Sequence, residues 1–398
     1  MFQKLNDDYL YLGQDDDRLA LFENAYPLPN GVSYNSYLLL DEQTALLDTV
    51  DWSQGEAFLD ALKAGLNGRS LDYVFVHHME PDHAGTLQLV LSCYPQAKAV
   101  MTKKAQQMFS QFFELDILDR VVTAAEGFTL STGKHSFRFL TAPMVHWPEV
   151  MVSFDETDSI LFSADAFGTF GSLHGKLFAD QVNFERDWLD DARRYYANIV
   201  GKYGAPVQGL LKKASALPIK MIAPLHGPIW RENLSWFIGK YDLWSRYEAE
   251  ENTAVIFTGS VYGHTHAAAL QLAQALTERG LKDVRVYDAA KTDLSVLVSE
   301  AFRCKALVFA ASTYNNGIFT PVETLITDLQ AHDLQNRVWA LVENGSWAPN
   351  SGKLMAEKLS ALKRMTKAGE TLTLRSALKP AQSEQLAALA DAIAEAVK

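Results

Sequence analysis

Cysteine is nearly absent from this sequence: Cys93 and Cys304 are the only two in 398 residues. Two isolated thiols exclude a disulfide scaffold, a Cys-x-x-Cys rubredoxin module and a cysteine-ligated iron–sulfur cluster. A reducing cytoplasm is the expected compartment. No apolar run reaches the roughly 18 residues of a membrane-spanning helix. The start, Met1 to Asp8, lacks the basic and then apolar regions of a secretory signal. Positive charge is in deficit, with 36 Lys and Arg against 48 Asp and Glu and a formal net charge of −12. Such a chain is a poor general partner for nucleic acid or anionic membrane. No strand leads into Gly-x-x-x-x-Gly-Lys-Ser/Thr, and no Gly-x-Gly-x-x-Gly occurs, so neither a nucleotide-hydrolysing loop nor a dinucleotide fingerprint is expected. What remains is ample core material, 48 % hydrophobic residues, in a length that suggests two or three domains.

The densest chemistry lies in Val76-His77-His78-Met79-Glu80-Pro81-Asp82-His83-Ala84-Gly85, after the apolar run Leu71–Val76 that reads as a buried strand. Pro81 holds Glu80 extended, so His78 and Glu80 point the same way. His77 alternates with His78 and faces away, toward packing or a supporting hydrogen bond. Nitrogen and oxygen donors without thiolate suit metals of intermediate to hard character. Two carboxylates ~4 Å apart repel by ~4 kcal/mol at an effective dielectric of ~20, so the acids either take up protons or share a cation. The plainer alternative is a polar loop in which Asp82 caps a helix.

This stretch resembles the His-x-His-x-Asp-His metal loop of the metallo-β-lactamase superfamily, with Glu80 in place of the second histidine. His-x-Glu-x-Asp-His is the form carried by flavodiiron proteins, and a carboxylate there tilts the site from zinc toward iron or manganese. Three further strand-like runs end in single ligand types: His146 in Pro143–Glu149, Asp165 after Ser159–Ser163, and His226 after Met221–Pro224. The candidates are therefore His78, Glu80, Asp82, His83, His146, Asp165 and His226. Seven exceeds the four of a tetrahedral zinc and fits two metals with a bridging carboxylate. The resemblance implies His78, Glu80 and His146 on one iron, Asp82, His83 and His226 on the other, and Asp165 between them. Residues 183 to about 250 are aromatic and helical in pattern, which is usually core packing. Within and before them, Tyr195, Tyr196 and His174 are also candidates for a supporting role beside the metals.

Glu248-Ala249-Glu250-Glu251-Asn252 is a charged break, and the expected domains are 1–250 and 251–398. Beyond it, strand-like runs at Ala254–Thr258, Val284–Asp288, Ala306–Ala310, Val338–Val342 and Thr371–Leu374 alternate with amphipathic stretches, which predicts a parallel sheet covered on both faces. Thr258-Gly259-Ser260-Val261-Tyr262-Gly263-His264-Thr265 places hydroxyls and glycine before a helix, a neutral anion cradle. It resembles the flavodoxin phosphate loop that holds FMN, with Tyr262 and His264 as departures. Ser312-Thr313-Tyr314-Asn315-Asn316 and Asn344-Gly345-Ser346-Trp347-Ala348 follow the third and fourth strands. In a 2-1-3-4-5 sheet they would surround the flavin ring.

The expected fold is α/β: an N-terminal metallo-β-lactamase-like αββα sandwich followed by a flavodoxin-like, doubly wound, five-stranded parallel sheet. The resemblance to flavodiiron proteins spans nearly the whole chain. It implies reduction of dioxygen to water, of nitric oxide to nitrous oxide, or both, at two Fe fed by FMN. It further implies a head-to-tail homodimer or dimer of dimers, and an external electron donor such as rubredoxin. One competing class is a zinc hydrolase whose second domain is regulatory; Glu80 and the FMN-like loops weigh against it. Another is a binding or electron-shuttle protein with a degenerate metal site; the presence of all seven ligands weighs against that.

Overall fold

The computed structural model describes residues 2–398. The chain divides into two compact units, one running up to Tyr196 and resuming at Ala205–Asp242, the other combining Ala197–Gly204 with Leu243–Lys398.

The first unit is built on two sheets. One runs Gln3–Lys4, Tyr9–Tyr11, Tyr37–Leu40, Thr44–Leu47, Tyr73–Phe75, Lys98–Met101 and Val121–Thr123 in spatial order. The other runs Thr129–Ser131, Ser136–Thr141, Met151–Asp155, Ile160–Phe162 and Met221–Ala223. Strand alternation sorts the side chains between layers. Tyr37, Leu39, Ala45, Leu47 and Phe75 join Phe137, Phe139 and Phe162 in one buried cluster. There the Phe75 ring meets those of Phe137 and Phe139 edge-on at 5.0 and 5.1 Å. Each such buried side chain contributes roughly 1.5–3 kcal/mol. Leu38 and Leu10 point to the opposite face, toward the helix Gly55–Leu66. A Cβ on Gly65 would lie 3.0 Å from Leu38 and 3.3 Å from Leu10, so glycine lets that helix sit close. The aromatic residues beyond 183 pack as expected of core: Trp230 stacks on Phe237 at 4.3 Å, and Phe167 meets Tyr241 at 4.5 Å.

Several elements differ from the sequence expectation. The run Val32 to Leu40, which alternates and then turns continuously apolar as one arm of a hairpin would, is two strands, Val32–Tyr34 paired with Gln14–Asp16 and Tyr37–Leu40 in the large sheet. Buried Asn35 explains the break: it donates to the Pro224 and Gly227 carbonyls at 2.9 and 2.8 Å and accepts from Tyr11 Oη at 2.8 Å. That bend ties the sheet to the His226 loop. The stretch His83 to Tyr94, where Leu87, Leu89, Val90 and Leu91 offer the apolar faces of one continuous helix, lies across two, Pro81–Ala84 and Leu87–Cys93, separated where Thr86 Oγ1 donates to the Val50 carbonyl at 3.0 Å. The strand Met151–Asp155 is buried at all five positions and shows no alternation to read.

In the second unit Arg285–Asp288, Glu251–Gly259, Cys304–Tyr314 and Val338–Asn344 lie side by side, all parallel. The fifth place is shared by two short pieces, Thr366–Lys367 and Leu372–Leu374, so the expected 2-1-3-4-5 order holds with a divided last strand. Ile256, Val308, Ala340 and Val342 pack with Leu272, Leu276, Leu389 and Ile393 of the helices His264–Glu278 and Ser383–Ala396. The loops after the first, third and fourth strands therefore gather at one carboxyl edge. Among the described residues no helix is long and apolar enough to cross a membrane.

Candidate functional site

The four strand ends of the first unit bring all seven predicted ligands together in two groups. His78, Glu80, His146 and Asp165 place ligand atoms within 4.8 Å of one another, and Asp82, His83 and His226 do the same. Asp165 serves both. Its Oδ2 lies 3.3 Å from His78 Nε2 and 3.2 Å from His146 Nε2, while Oδ1 lies 3.1 Å from His83 Nε2 and 3.8 Å from His226 Nε2. Glu80 Oε2 completes the first group at 3.1 Å from His78 and 3.0 Å from His146. Asp82 Oδ2 completes the second at 3.3 Å from His83 and 3.1 Å from His226. The loops that present them are bent through left-handed conformations at Met144 (φ 64°) and Ala164 (φ 51°). Such φ values in non-glycine residues cluster at functional sites.

Burial disfavours charge on His78, yet Asp165, Glu149 and Glu80 outweigh it and raise its pKa. The same balance, with Asp165 and Glu80, carries His146 up to about 9, and with Asp82 and Asp165 raises His83. Burial likewise opposes ionisation of Asp165 and Glu80, but the histidines pull both carboxyls down. The site thus concentrates negative charge and answers it only with protons. Even so, the short contacts of Asp82 Oδ2, Asp165 Oδ1 and His146 Nε2 do not meet hydrogen-bond geometry, and buried Asp82 Oδ1 has no hydrogen-bond partner. Unsatisfied buried groups of this kind are costly. Their common aim at two small spaces is what a pair of cations would satisfy, and the seven donors fit one. Asp82 makes no capping hydrogen bond, so the capping alternative fails.

In the second unit a cavity of about 620 Å³ opens at the carboxyl edge of the sheet. All the cofactor candidates line it except Gly263, which precedes the helix His264–Glu278 at φ 88° and donates its N–H to Ser260 Oγ at 3.0 Å. Thr265 Oγ1 lies 3.0 Å from Ser312 Oγ and accepts from Asn344 Nδ2 at 3.1 Å. No Lys, Arg, Asp or Glu lines the cavity. Helix-end N–H groups and hydroxyls can hold a phosphate there without a cation. Tyr262 and Trp347 stand at its rim, 90 % and 88 % exposed.

A model of the beta-lactamase family described as ODP matches residues 32–227, and a flavodoxin model matches 256–375. The chain is 30 % identical over 363 residues to the nitric oxide reductase of Moorella thermoacetica, covering 90 % of each protein. The chain belongs to the flavodiiron protein family. Rubredoxin:oxygen oxidoreductase from Desulfovibrio gigas superposes with a TM-score of 0.92 at 28 % identity, over 100 % of this chain and 98 % of that one. The flavodiiron protein of Giardia intestinalis superposes with a TM-score of 0.93 at 25 % identity, over 100 % and 97 %.

This flavodiiron protein also carries neighbours that sequence reasoning missed. His77 does turn away, as expected, and its ring meets Asp48 at 2.5 Å and Ser153 Oγ at 2.7 Å. Tyr195 packs 5.4 Å from the His226 ring with its buried hydroxyl lacking a hydrogen-bond partner. Burial and the Asp165 charge raise its pKa. Tyr196 packs on Tyr241 instead. His174 is not brought to the metal ligands; its exposed ring lies 3.4 Å from Asp17. Glu23, on the hairpin of Leu21–Phe22 and Tyr26–Pro27, comes close enough to Glu80 to feel its charge. Enclosure and the Glu80 charge push its carboxyl up to about 8, although part of its surface meets solvent. No motif marks Glu23, whose sequence neighbours are unremarkable. Ser376 joins the cavity wall from beyond the fourth loop.

Proposed function

We propose that this chain is a flavodiiron oxidoreductase that reduces dioxygen to water, nitric oxide to nitrous oxide, or both. The observation that carries the reading is the double cluster around Asp165, whose two oxygens serve two separate histidine pairs. We assign His78, Glu80 and His146 to one iron, Asp82, His83 and His226 to the other, and Asp165 to both. Two irons held by these residues would supply binding of small diatomic gases and electron delivery to them. The chain's own residues supply the rest. Histidines backed by carboxylates hold the donors in place. Apolar and aromatic packing around His226, from Phe22, Tyr34 and Tyr195, keeps bulk water away.

The cavity in the second unit is assigned to FMN, with its phosphate at the Ser260–Thr265 loop and its ring between the Ser312–Asn316 and Asn344–Ala348 loops. FMN accepts and passes electrons singly or in pairs, which suits two electrons per pair of nitric oxide molecules and four per dioxygen. The domains are assigned as 1–250 and 251–398. The exposed Tyr262 and Trp347 at the cavity rim support coverage by a second copy, in a head-to-tail homodimer or dimer of dimers. An external donor such as rubredoxin is assigned, because the two cysteines of these 398 residues cannot supply a four-cysteine iron site. The cytoplasm is the compartment in which Cys93 and Cys304 stay reduced.

The test is anaerobic reduction of the purified full chain, followed by separate dioxygen and nitric oxide consumption rates, with metal and flavin analysis. A yellow protein with two irons and one FMN per chain that consumes at least one gas is expected. A colourless, zinc-loaded protein inert to both gases refutes the proposal.

A further inference from the structure

Glu149 lies outside the seven assigned ligands and does not face the space between the histidines. Its side chain is fully buried. Oε1 accepts from His78 Nδ1 at 2.7 Å and from the Met79 N–H at 2.9 Å, while Oε2 has no hydrogen-bond partner. Its own carbonyl accepts from Thr102 Oγ1 at 3.0 Å, which fixes the segment that carries it. A carboxylate can only accept, so the His78 Nδ1 must carry the proton. That leaves Nε2 to face Glu80 and Asp165.

The other group has no such support. His226 Nδ1 donates to a neutral acceptor, the Ser33 carbonyl, at 2.7 Å. His83 Nδ1 is buried with no hydrogen-bond partner. The two ligand groups are therefore unequal one bond beyond the donor atoms. A charged acceptor strengthens the imidazole it holds and fixes its ring, and losing such a partner typically costs about 10–100-fold in metal affinity.

We propose that Glu149 is a positioning residue for the metal position built from His78, Glu80 and His146, and that it makes this position the better retained of the two; the inference rests on the metal-centre reading above. Glu149 acts through the His78 ring and the Met79 N–H at once. It sets both the tautomer of the ligand and the course of the backbone between His78 and Glu80.

The test uses the full chain loaded anaerobically with ferrous iron, then dialysed against a graded chelator. Metal is counted per chain, and the iron is read by Mössbauer spectroscopy. Wild type is expected to hold two irons in two unequal environments and to release the His83 and His226 iron first. E149A should bind iron at the His78 position about 10–100-fold more weakly and release that iron first, reversing the order. E149Q retains an acceptor oxygen for both N–H groups, so it should keep two irons while one of the two Mössbauer doublets shifts and the other stays. That signature stands even if E149A fails to fold. Wild-type metal affinity in E149A, or two unshifted doublets in E149Q, would overturn the inference. A wild-type protein holding fewer than two irons would sink the metal-centre reading itself, and this inference with it.

Discussion

His83 and His226 aim their Nε2 atoms at each other across 2.9 Å. Only one proton fits between two such atoms, so in the absence of a cation one ring must donate to the other. His226 commits its Nδ1 proton to the Ser33 carbonyl, which leaves its Nε2 lone pair to accept, so His83 is the donor. A bound metal would instead take both lone pairs. The cluster is thus held together by protons or by metal, and the two compete for the same atoms.

Metal binding should therefore release protons and strengthen as pH rises. His78 and His83 have raised pKa values, and His146 sits at about 9. Near neutrality these rings carry protons that must leave before the nitrogens can ligate. Affinity should climb from pH 6 to pH 9. Calorimetric titration of the metal-free protein in buffers of different ionisation enthalpy checks it, and zero net proton release would contradict the geometry.

A histidine outside the ligand set responds to pH for a different reason. His135 is buried, with Nδ1 2.8 Å from Asp155 and Nε2 3.2 Å from Asp8. Burial opposes its charge, but Asp155 and Asp8 raise its pKa. A histidine raised on folding contributes stability that is fully present below its unfolded value of about 6.5 and is lost as pH climbs through the folded value. His135→Gln should lower the denaturation midpoint at pH 6 and do so less at pH 9. An equal loss at both pH values would remove the charge from the explanation.

Much of this was legible because the ligands sit at strand ends, where a run of apolar residues gives way to a single histidine or acid. His146, Asp165 and His226 each follow that rule. Partners reached through space leave no such mark. Glu149 follows a proline close to His146, and Glu23 lies more than fifty residues from Glu80; neither has a period or a motif. The strand Met151–Asp155 was missed because both its faces are buried, which removes the alternation. The split at Asn35 was missed because its cause is a hydrogen bond to a loop nearly two hundred residues away.

In the flavin cavity Asn344 is the joint between loops. Its Nδ2 donates to Thr265 Oγ1 at 3.1 Å and to the Ser376 carbonyl at 2.9 Å, while Oδ1 is buried without a hydrogen-bond partner. Asn344→Ala frees the Thr265 hydroxyl and the Ser376 loop together. Losing about 1–2 kcal/mol of hydrogen bonding there should weaken FMN binding by roughly tenfold. Quenching of flavin fluorescence during titration measures it, and unchanged affinity would place the flavin elsewhere.

The last prediction concerns Arg337, a buried guanidinium with no carboxylate among its hydrogen-bond partners. It donates to the carbonyls of Ala301 at 2.9 Å, Phe302 at 2.8 Å and Tyr247 at 2.5 Å, and more weakly to those of Gln335 and Asn336. It thereby ends the helix Leu294–Arg303 and holds the segment after Trp244. Burial brings its pKa down from 12.5 to about 10. Its hydrogen bonds to carbonyls hold the protonated form, so the guanidinium stays charged and acts here as a donor fork. Arg337→Met keeps the volume but strands several buried carbonyls, at roughly 1–3 kcal/mol each for those that water cannot reach. Arg337→Lys supplies three donors from a single point and cannot span the same fork. Both variants should lose several kcal/mol of second-unit stability, seen as earlier FMN release on heating, while the iron content of the first unit holds. If lysine restored the wild-type release temperature, charge alone and not the planar fork would account for this arginine.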